Sequence, residues 1–219
     1  MTGSAGHTKD LFAPAGHWEE LAAGAMILRG FARDHETEMA AAIEQVTAAA
    51  PFRHMQTPGG HRMSAAMSNC GEFGWTTDRR GYRYTREDPE TGHPWPAMPD
   101  VFRNIAVTAA EAASFPGFDP DACLINRYQP GARMGLHQDR NERDFDAPIV
   151  SVSLGLPATF LFGGERRADR SLRLPLEHGD VVVWGAAARL RYHGIAPLRS
   201  GSHPFAGEAR LNLTLRRAQ

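Results

Sequence analysis

Leu136-His137-Gln138-Asp139-Arg140-Asn141-Glu142 places a histidine and an aspartate two residues apart. On an extended strand such residues point to one face, so an imidazole and a carboxylate project side by side. They are two parts of a 2-His-1-carboxylate triad, the donor set that holds a non-haem Fe(II) and leaves positions open on it. The third ligand has to come from a distant strand that folds back beside the first. His193, in Arg191-Tyr192-His193-Gly194, lies 56 residues beyond His137 and follows the apolar run Val181-Val182-Val183-Trp184. Its rival is His178, in Glu177-His178-Gly179-Asp180, but a Gly-Asp turn leading into a strand is a usual place for a structural polar side chain. An H-x-D pair by itself equally fits a surface turn in which the acid holds the histidine by a hydrogen bond.

Working outward, the signals from Ala122 onward are those of strands, at residues 123–128, 133–137, 149–154, 159–162, 172–176, 180–184, 190–193 and 210–216. They are short, closely spaced and punctuated by Gly and Pro, the pattern of a two-sheet jelly roll. Strands that return across such a sandwich would bring residue 193 beside 137–139. The last run, Arg210-Leu211-Asn212-Leu213-Thr214-Leu215-Arg216, alternates strictly, so Arg210, Asn212, Thr214 and Arg216 share one face. That face is either the solvated side of an amphipathic strand or the wall of a site. Two arginines beside a metal suit a small dicarboxylate, because the planar guanidinium matches a carboxylate bidentately.

Toward the N-terminus, residues 1–24 read as an irregular lead-in and residues 25–28 as a short strand ended by Gly30. Asp34 is placed to cap a helix in which Met39, Ile43 and Val46 recur at helical spacing, and Pro51 ends that helix near Ala50. Residues 51–97 interleave Gly, Pro, Arg, Met and aromatic residues and read as short strands and turns, a lid and not a conventional core. A second helix, from near Pro99 to near Pro116, puts Phe102, Ile105, Ala109 and Ala112 on one face. The expected fold is therefore α+β, mainly β: a double-stranded β-helix (jelly roll) with flanking N-terminal helices and a lid. Its divisions are an extension and helix (1–50), the lid (51–97) and the second helix with the jelly-roll core (98–219), within a single catalytic domain.

The chain has 219 residues, 42% hydrophobic and 22% charged, with a formal net charge of −1, which is the profile of a soluble globular protein. Its apolar runs are far too short for a membrane span. Met1–Asp10 carry no apolar leader, so a cytoplasmic protein is expected. In that compartment Cys70 and Cys123, which form no CxxC pair, are expected as free, buried thiols. The near-neutral total neither demands nor excludes a polyanionic partner, so local clusters matter more. Arginine concentrates, with tyrosine, in residues 79–86 and again in 166–170, while Lys9 is the only lysine. Trp95 and Trp184 are read as packing residues, and His54, His61, His93 and His203 as solvated loop residues.

These motifs together resemble the AlkB family of Fe(II)/2-oxoglutarate-dependent dioxygenases, which repair alkylated nucleic-acid bases. The resemblance runs from Leu21-Ala22-Ala23-Gly24-Ala25 to Arg216. It is carried by Thr57-Pro58-Gly59-Gly60, Asn69-Cys70-Gly71, Gly74-Trp75-Thr76-Thr77, residues 121–128, Leu136-His137-Gln138-Asp139, residues 148–157 and residues 177–185. It implies that His137, Asp139 and His193 bind iron. It implies that Arg210, helped by Tyr128 and Asn212, pairs with the distal carboxylate of 2-oxoglutarate, and that Arg216 and Asn126 hold the carboxylate at the metal end. Thr57, Trp75, Tyr82 and Arg167 fall at substrate-contact positions, Trp75 near the lesion base and Tyr82 near the backbone. Asn141 departs from the pattern, since the well-known bacterial member has an acid there; this bears on lesion preference.

The implied reaction is oxidative demethylation of N-alkylated bases in DNA or RNA with Fe(II), O2 and 2-oxoglutarate. The expected partner is an alkylated base in single-stranded nucleic acid or flipped from a duplex, because a stacked base cannot reach an enclosed metal. A monomer that uses no membrane is expected. Two alternatives share parts of this reading. A 2-oxoglutarate-dependent hydroxylase of a small molecule or a protein side chain needs the same metal and co-substrate residues but no Arg/Tyr/Trp lid. A non-catalytic metal-binding jelly-roll module needs no dicarboxylate site.

Overall fold

The structure, a computed structural model, describes residues 17–219. In chain order its elements are β1 (Trp18–Ala22), β2 (Ala25–Leu28), α1 (Glu36–Ala49), β3 (Ala66–Gly71), β4 (Gly74–Asp78), β5 (Gly81–Thr85), α2 (Asp100–Ala112), β6 (Ala122–Tyr128), β7 (Met134–His137), β8 (Ile149–Gly155), β9 (Ala158–Phe162), β10 (Leu172–Leu176), β11 (Val181–Trp184), β12 (His193–Ile195) and β13 (Arg210–Arg216). Seven strands form one sheet in the order β1-β2-β11-β8-β13-β6-β3, four form a second in the order β10-β9-β12-β7, and β4-β5 is a separate hairpin. The fold is the expected mainly-β jelly roll.

Two apolar cores explain the layering. Between the sheets, Ile27, Tyr128, Ile149 and Trp184 of the large sheet pack with Phe160, Phe162 and Ile195 of the small one. On the outer face of the large sheet, Val150, Val152, Leu211, Leu213 and Leu215 pack with Met39, Ile43 and Val46 of α1 and Phe102, Ile105 and Ala109 of α2. Strand β13 serves both. Its leucines face the helices, while Arg210, Asn212, Thr214 and Arg216 face inward, and all seven residues are buried. The polar face of this strand is thus buried and not solvated.

Several local expectations give way to tertiary context. The described part of the lead-in is not irregular: Trp18–Ala22 pairs with β2 as an edge strand, with a register shift between Glu20 and Ala22. The leader reading of Met1–Asp10 lies outside the described residues. Asp34 does not cap α1. It sits in a short 3-10 turn, Arg33–His35, so His35 takes the N-cap position without a side-chain cap. Helix α2 starts after Pro99, as expected, but ends at Ala112, short of Pro116. Within 51–97, residues 66–71 are a buried strand at the edge of the large sheet, paired with β6, so this stretch does contribute to the core. Residues 190–192 are a turn; the strand begins at His193 and continues to Ile195.

The crossing of β12 and β7 positions the chemistry. His193 is the register partner of His137, and the register shifts between His193 and Ile195. Gly194 lies at that shift, where a Cβ would come within 2.6 Å of the Met134 carbonyl oxygen. Only glycine lets the two backbones approach this closely. Gly194→Ala is expected to push β7 away from β12. It should weaken Mn(II) binding, measured by isothermal titration, by at least about tenfold, with a loss of stability of about 1–3 kcal/mol. Unchanged Mn(II) affinity would remove this contact from the account of the site.

Candidate active site

Asp139 follows β7 by two residues, so its carboxylate returns to the face that His137 and His193 share. One ligand atom from each of the three lies within 4.8 Å of the other two. His137 Nε2 is 3.5 Å from Asp139 Oδ1 and His193 Nε2 is 3.7 Å from Asp139 Oδ2. Each imidazole is oriented by its own backbone. His137 Nδ1 donates to the Gly135 carbonyl at 2.9 Å and His193 Nδ1 to the Arg191 carbonyl at 3.1 Å. A carbonyl only accepts, so both rings carry the Nδ1 proton and present Nε2 lone pairs to a common point. This donor set fits Fe(II). His178 is elsewhere: its Nδ1 accepts from the Gly155 amide at 3.0 Å and its ring stacks on His203, 4.6 Å between centroids. His178 is therefore structural, as its turn suggested, whereas His203 is half-buried and packed, not solvated.

Burial by itself would raise the Asp139 carboxyl, but the Arg216 guanidinium holds it well below the usual range. Arg216 donates to Asp139 Oδ2 through Nη2 at 2.7 Å and Nε at 3.0 Å. Burial lowers His193 to about 4, with the neighbouring His137 adding to the effect. The pair of imidazoles is thus electrostatically prepared to meet a cation with at least one neutral ring.

Arg210, further along β13, is in a different state. It is 1% exposed, its Nη2 donates to Ser153 Oγ at 3.0 Å, and its guanidinium lies 5.3 Å from the Tyr128 ring centroid. Among the described residues its Nε and Nη1 have no hydrogen-bond partner, nor has the buried Oδ1 of Asn126. Burial lowers its pKa to about 10. A buried cation with two idle donors calls for an anion, and a carboxylate of 2-oxoglutarate fits it. Asn212 differs from expectation in what it has left to offer. Its Nδ2 donates to Ser151 Oγ and the Val152 carbonyl at 2.8 and 3.0 Å, and its Oδ1 accepts from Thr214 at 3.2 Å. Its polar atoms are engaged within the protein, so it stiffens the wall.

The β4-β5 hairpin closes over this site. Trp75 and Tyr82 stack with ring centroids 5.6 Å apart, and Tyr82 is 45% exposed. Asn69, fully buried on β3, grips the Trp75 backbone with both halves of its amide, 3.0 Å to the carbonyl and 3.0 Å from the N–H. Trp75 Nε1 donates to Asn141 Oδ1 at 3.2 Å, which places Asn141 at the junction of hairpin and metal loop. Thr57 sits in a turn, its hydroxyl accepting from the His61 amide at 3.2 Å. The loop before it reaches the hairpin through Thr77, which donates to the Gln56 carbonyl at 3.0 Å. Arg167 is exposed on the loop after β9 and lines a groove with Gln138 and Arg140.

Sequence reasoning did not single out Glu142, Tyr84 or Arg189. Tyr84 of β5 donates to Glu142 Oε1 at 2.6 Å, and Arg189 donates to Glu142 Oε2 at 3.1 Å and to the Asp139 carbonyl at 2.9 Å. The signal was present in Tyr82-Arg83-Tyr84, since residues two apart share a face of a strand and the second tyrosine also had to face the site. Trp184 is a packing residue as expected, yet what it packs on is the metal site, 4.9 Å from the His193 ring. Trp95 packs under Gly74 and donates to the Thr85 carbonyl at 3.0 Å. Cys70 and Cys123 are cross-strand neighbours, both free and buried.

The family model described as the 2OG-Fe(II) oxygenase superfamily matches residues 24–216. The chain is 59% identical over 210 residues to the alpha-ketoglutarate-dependent dioxygenase AlkB of Escherichia coli K12, covering 95% of this chain and 97% of that one. It is 46% identical over 171 residues to the AlkB homologue of Caulobacter vibrioides, covering 78% and 76%. The solved structure of OsALKBH1 superposes with a TM-score of 0.78 at 27% identity, covering 92% of this chain and 100% of that chain.

Two outcomes follow from the geometry. His193→Ala should weaken Mn(II) binding by more than roughly 100-fold, since even outer-shell losses cost 10–100-fold, while His178→Ala should leave it near normal; the reverse result would move the third ligand to His178. Arg210→Met should act with opposite signs. Removing an idle buried charge should raise the stability of the free protein by about 1–3 kcal/mol. The same change should weaken 2-oxoglutarate binding by about 2–5 kcal/mol. Chemical denaturation and equilibrium binding separate the two, and a destabilised variant with normal 2-oxoglutarate affinity would overturn the assignment.

Proposed function

We propose, for a chain that belongs to the AlkB family of the 2OG-Fe(II) oxygenase superfamily, that it oxidatively demethylates N-alkylated bases in nucleic acid with Fe(II), O2 and 2-oxoglutarate. The observation that carries the reading is the His137/Asp139/His193 cluster, built on the small sheet, together with the idle Arg210 on the inner face of the large sheet and an aromatic hairpin anchored at the metal loop. The relatives point the same way: one is named a DNA N(6)-methyladenine demethylase (Arabidopsis thaliana) and one a tRNA demethylase (Schizosaccharomyces pombe). O2 is the oxidant: bound iron would activate it, one oxygen atom ending in succinate as 2-oxoglutarate gives up CO2 and the other leaving with the N-methyl carbon as formaldehyde.

The protein supplies position and charge. His137, Asp139 and His193 hold the metal, the histidines through Nε2. Arg210 takes the distal carboxylate of 2-oxoglutarate with Tyr128 beside it, and Asn212 keeps the wall rigid. Arg216 and Asn126 receive the carboxylate at the metal end. Trp75 and Tyr82 offer aromatic faces to a base taken out of its stack, worth about 1–3 kcal/mol per base. Thr57 and Arg167 extend the contact along the strand. Aerobic incubation with Fe(II), 2-oxoglutarate and a methylated single-stranded oligonucleotide tests the reading: formaldehyde release with matching mass loss on the base is expected. Decarboxylation of 2-oxoglutarate that no methylated oligonucleotide stimulates would favour a small-molecule or protein hydroxylase instead.

Asn141 bears on which lesions are accepted. An indole N–H only donates, so the Asn141 oxygen faces Trp75 and its NH2 is left to face the base. An NH2 donates to the carbonyl of 1-methylguanine or 3-methylthymine, where a carboxylate at this position would instead accept from the amino group of 1-methyladenine or 3-methylcytosine. Asn141→Asp is therefore expected to raise the repair rate of 1-methyladenine relative to 1-methylguanine several-fold, since charge-assisted bonds are about twice as strong as neutral ones. The ratio is read from matched oligonucleotides, and an unchanged ratio would show that Asn141 does not read the base.

A further inference from the structure

The loops after β7, β9 and β11 meet at one end of the barrel and enclose a groove of about 720 Å³. The groove begins beside the metal site, because Gln138, which alternates with the two ligands of its strand, lines it and donates to the Leu190 carbonyl. Its charge is uneven. Arg189 is neutralised by Glu142, and Arg166 by Asp169. Arg140 and Arg167 make no ion pair among the described residues, and Glu165 is the acid that lines the groove with them. Arg140 donates only to the neutral Gln138 side chain, at 3.4 Å, and two exposed cations without ion-pair partners at a groove mouth suit the phosphates of a nucleic-acid strand.

Phe145 stands in the same groove, 41% exposed. A single exposed aromatic means little, but this one is held. Its ring lies over the Arg189 guanidinium, 5.3 Å to the centroid. Arg189 is only 3% exposed and is fixed by the Asp139 and Ala147 carbonyls at 2.9 and 3.1 Å. One face of the ring is therefore backed by an immobile cation while part of the ring remains open. An aromatic already held in place loses little freedom when a base stacks on it, and stacking tolerates any base.

We propose that this groove seats the strand on one side of the lesion, with a flanking base stacked on Phe145 and its phosphate on Arg140, continuing the strand contact assigned above to Arg167. The inference rests on the nucleic-acid reading above. Phe145 is no part of the metal, 2-oxoglutarate or lesion-base contacts, so its contribution separates from theirs by substrate length.

The test compares a methylated trinucleotide centred on the lesion with two methylated nonanucleotides, one extended only on the 5′ side and one only on the 3′ side. Phe145→Ala should leave turnover of the trinucleotide unchanged and raise KM about tenfold for one of the two nonanucleotides, and Phe145→Trp should restore it. For that same nonanucleotide, Arg140→Gln should reduce the slope of log affinity against log salt by about 0.7. No effect of Phe145→Ala on any substrate overturns the proposal. An equal loss on all three substrates, or on both nonanucleotides, marks general damage to the loop and overturns it too. Should the native protein turn over none of the three, the demethylase reading itself has failed, a result distinct from normal trinucleotide turnover with no role for Phe145.

Discussion

A carboxylate enclosed by two imidazoles has to be neutralised, and in this protein Arg216 does it. Asp139 takes two hydrogen bonds from that guanidinium at 2.7 and 3.0 Å, and the rest of the site is arranged around the pair. Glu142 sits 3.4 Å from the same arginine and receives Arg189 and Tyr84 on its two oxygens. Two carboxylates and two guanidiniums thereby close a buried network whose charges balance. Such networks contribute little net stability against an apolar replacement, but removing one member leaves a bare buried charge and costs several kcal/mol. The network defines geometry: it joins β13, the metal loop, the turn before β12 and the hairpin strand β5.

That division of labour explains what could be read from the sequence. The H-x-D spacing and the strict alternation of residues 210–216 are period-two features, and a strand must convert them into shared faces. They put His137 beside Asp139 and Arg210 on one face with Arg216, and the structure has both arrangements. His193 was reachable because a third ligand had to lie on a returning strand, although that strand begins at the histidine itself and not three residues before it. Local capping rules failed at Asp34 because a 3-10 turn, held by the Ala32 amide bonding to the Gly179 carbonyl at 2.9 Å, enters the helix first. Strand β1 was not legible because Trp18–Ala22 has no alternation of its own and is extended only because β2 offers it an edge. Glu142 and Arg189 were hidden for the same reason: each is an ordinary charged residue until residues 47 apart are brought together.

The hairpin illustrates how a lid is held without a core of its own. Its two strands pair only with each other. Polar bonds tie it down: two from the Asn69 amide to the Trp75 backbone, one from Trp75 to Asn141, one from Tyr84 to Glu142 and one from Thr77 to the Gln56 carbonyl. Gly74 admits Trp95 beneath it, where a Cβ would meet the indole at 2.3 Å. The Trp75/Tyr82 pair, on the same face as Tyr84, is thus carried on a support fixed at both ends, one at the large sheet and one at the metal loop.

The two arginines of β13 share a face and a depth, yet they are prepared oppositely. Arg216 is fully engaged, and the charge of Asp139 outweighs burial and raises its pKa far above the ordinary value. Arg210 has only Ser153 and the Tyr128 ring, and burial lowers its pKa. An anion that arrives at Arg210 replaces nothing but the cost of an unanswered charge, whereas one that arrives at Arg216 must compete with Asp139 for the same donors. The free energy available to an incoming dicarboxylate is therefore greatest at the end away from the metal ligands. A molecule with one carboxylate and a molecule with two are told apart by that asymmetry: the first satisfies Arg210 and leaves the metal end untouched, and the second reaches both ends of the wall at once. Strand β13 thereby encodes the direction in which its ligand lies, through nothing more than which of its two guanidiniums already has a partner.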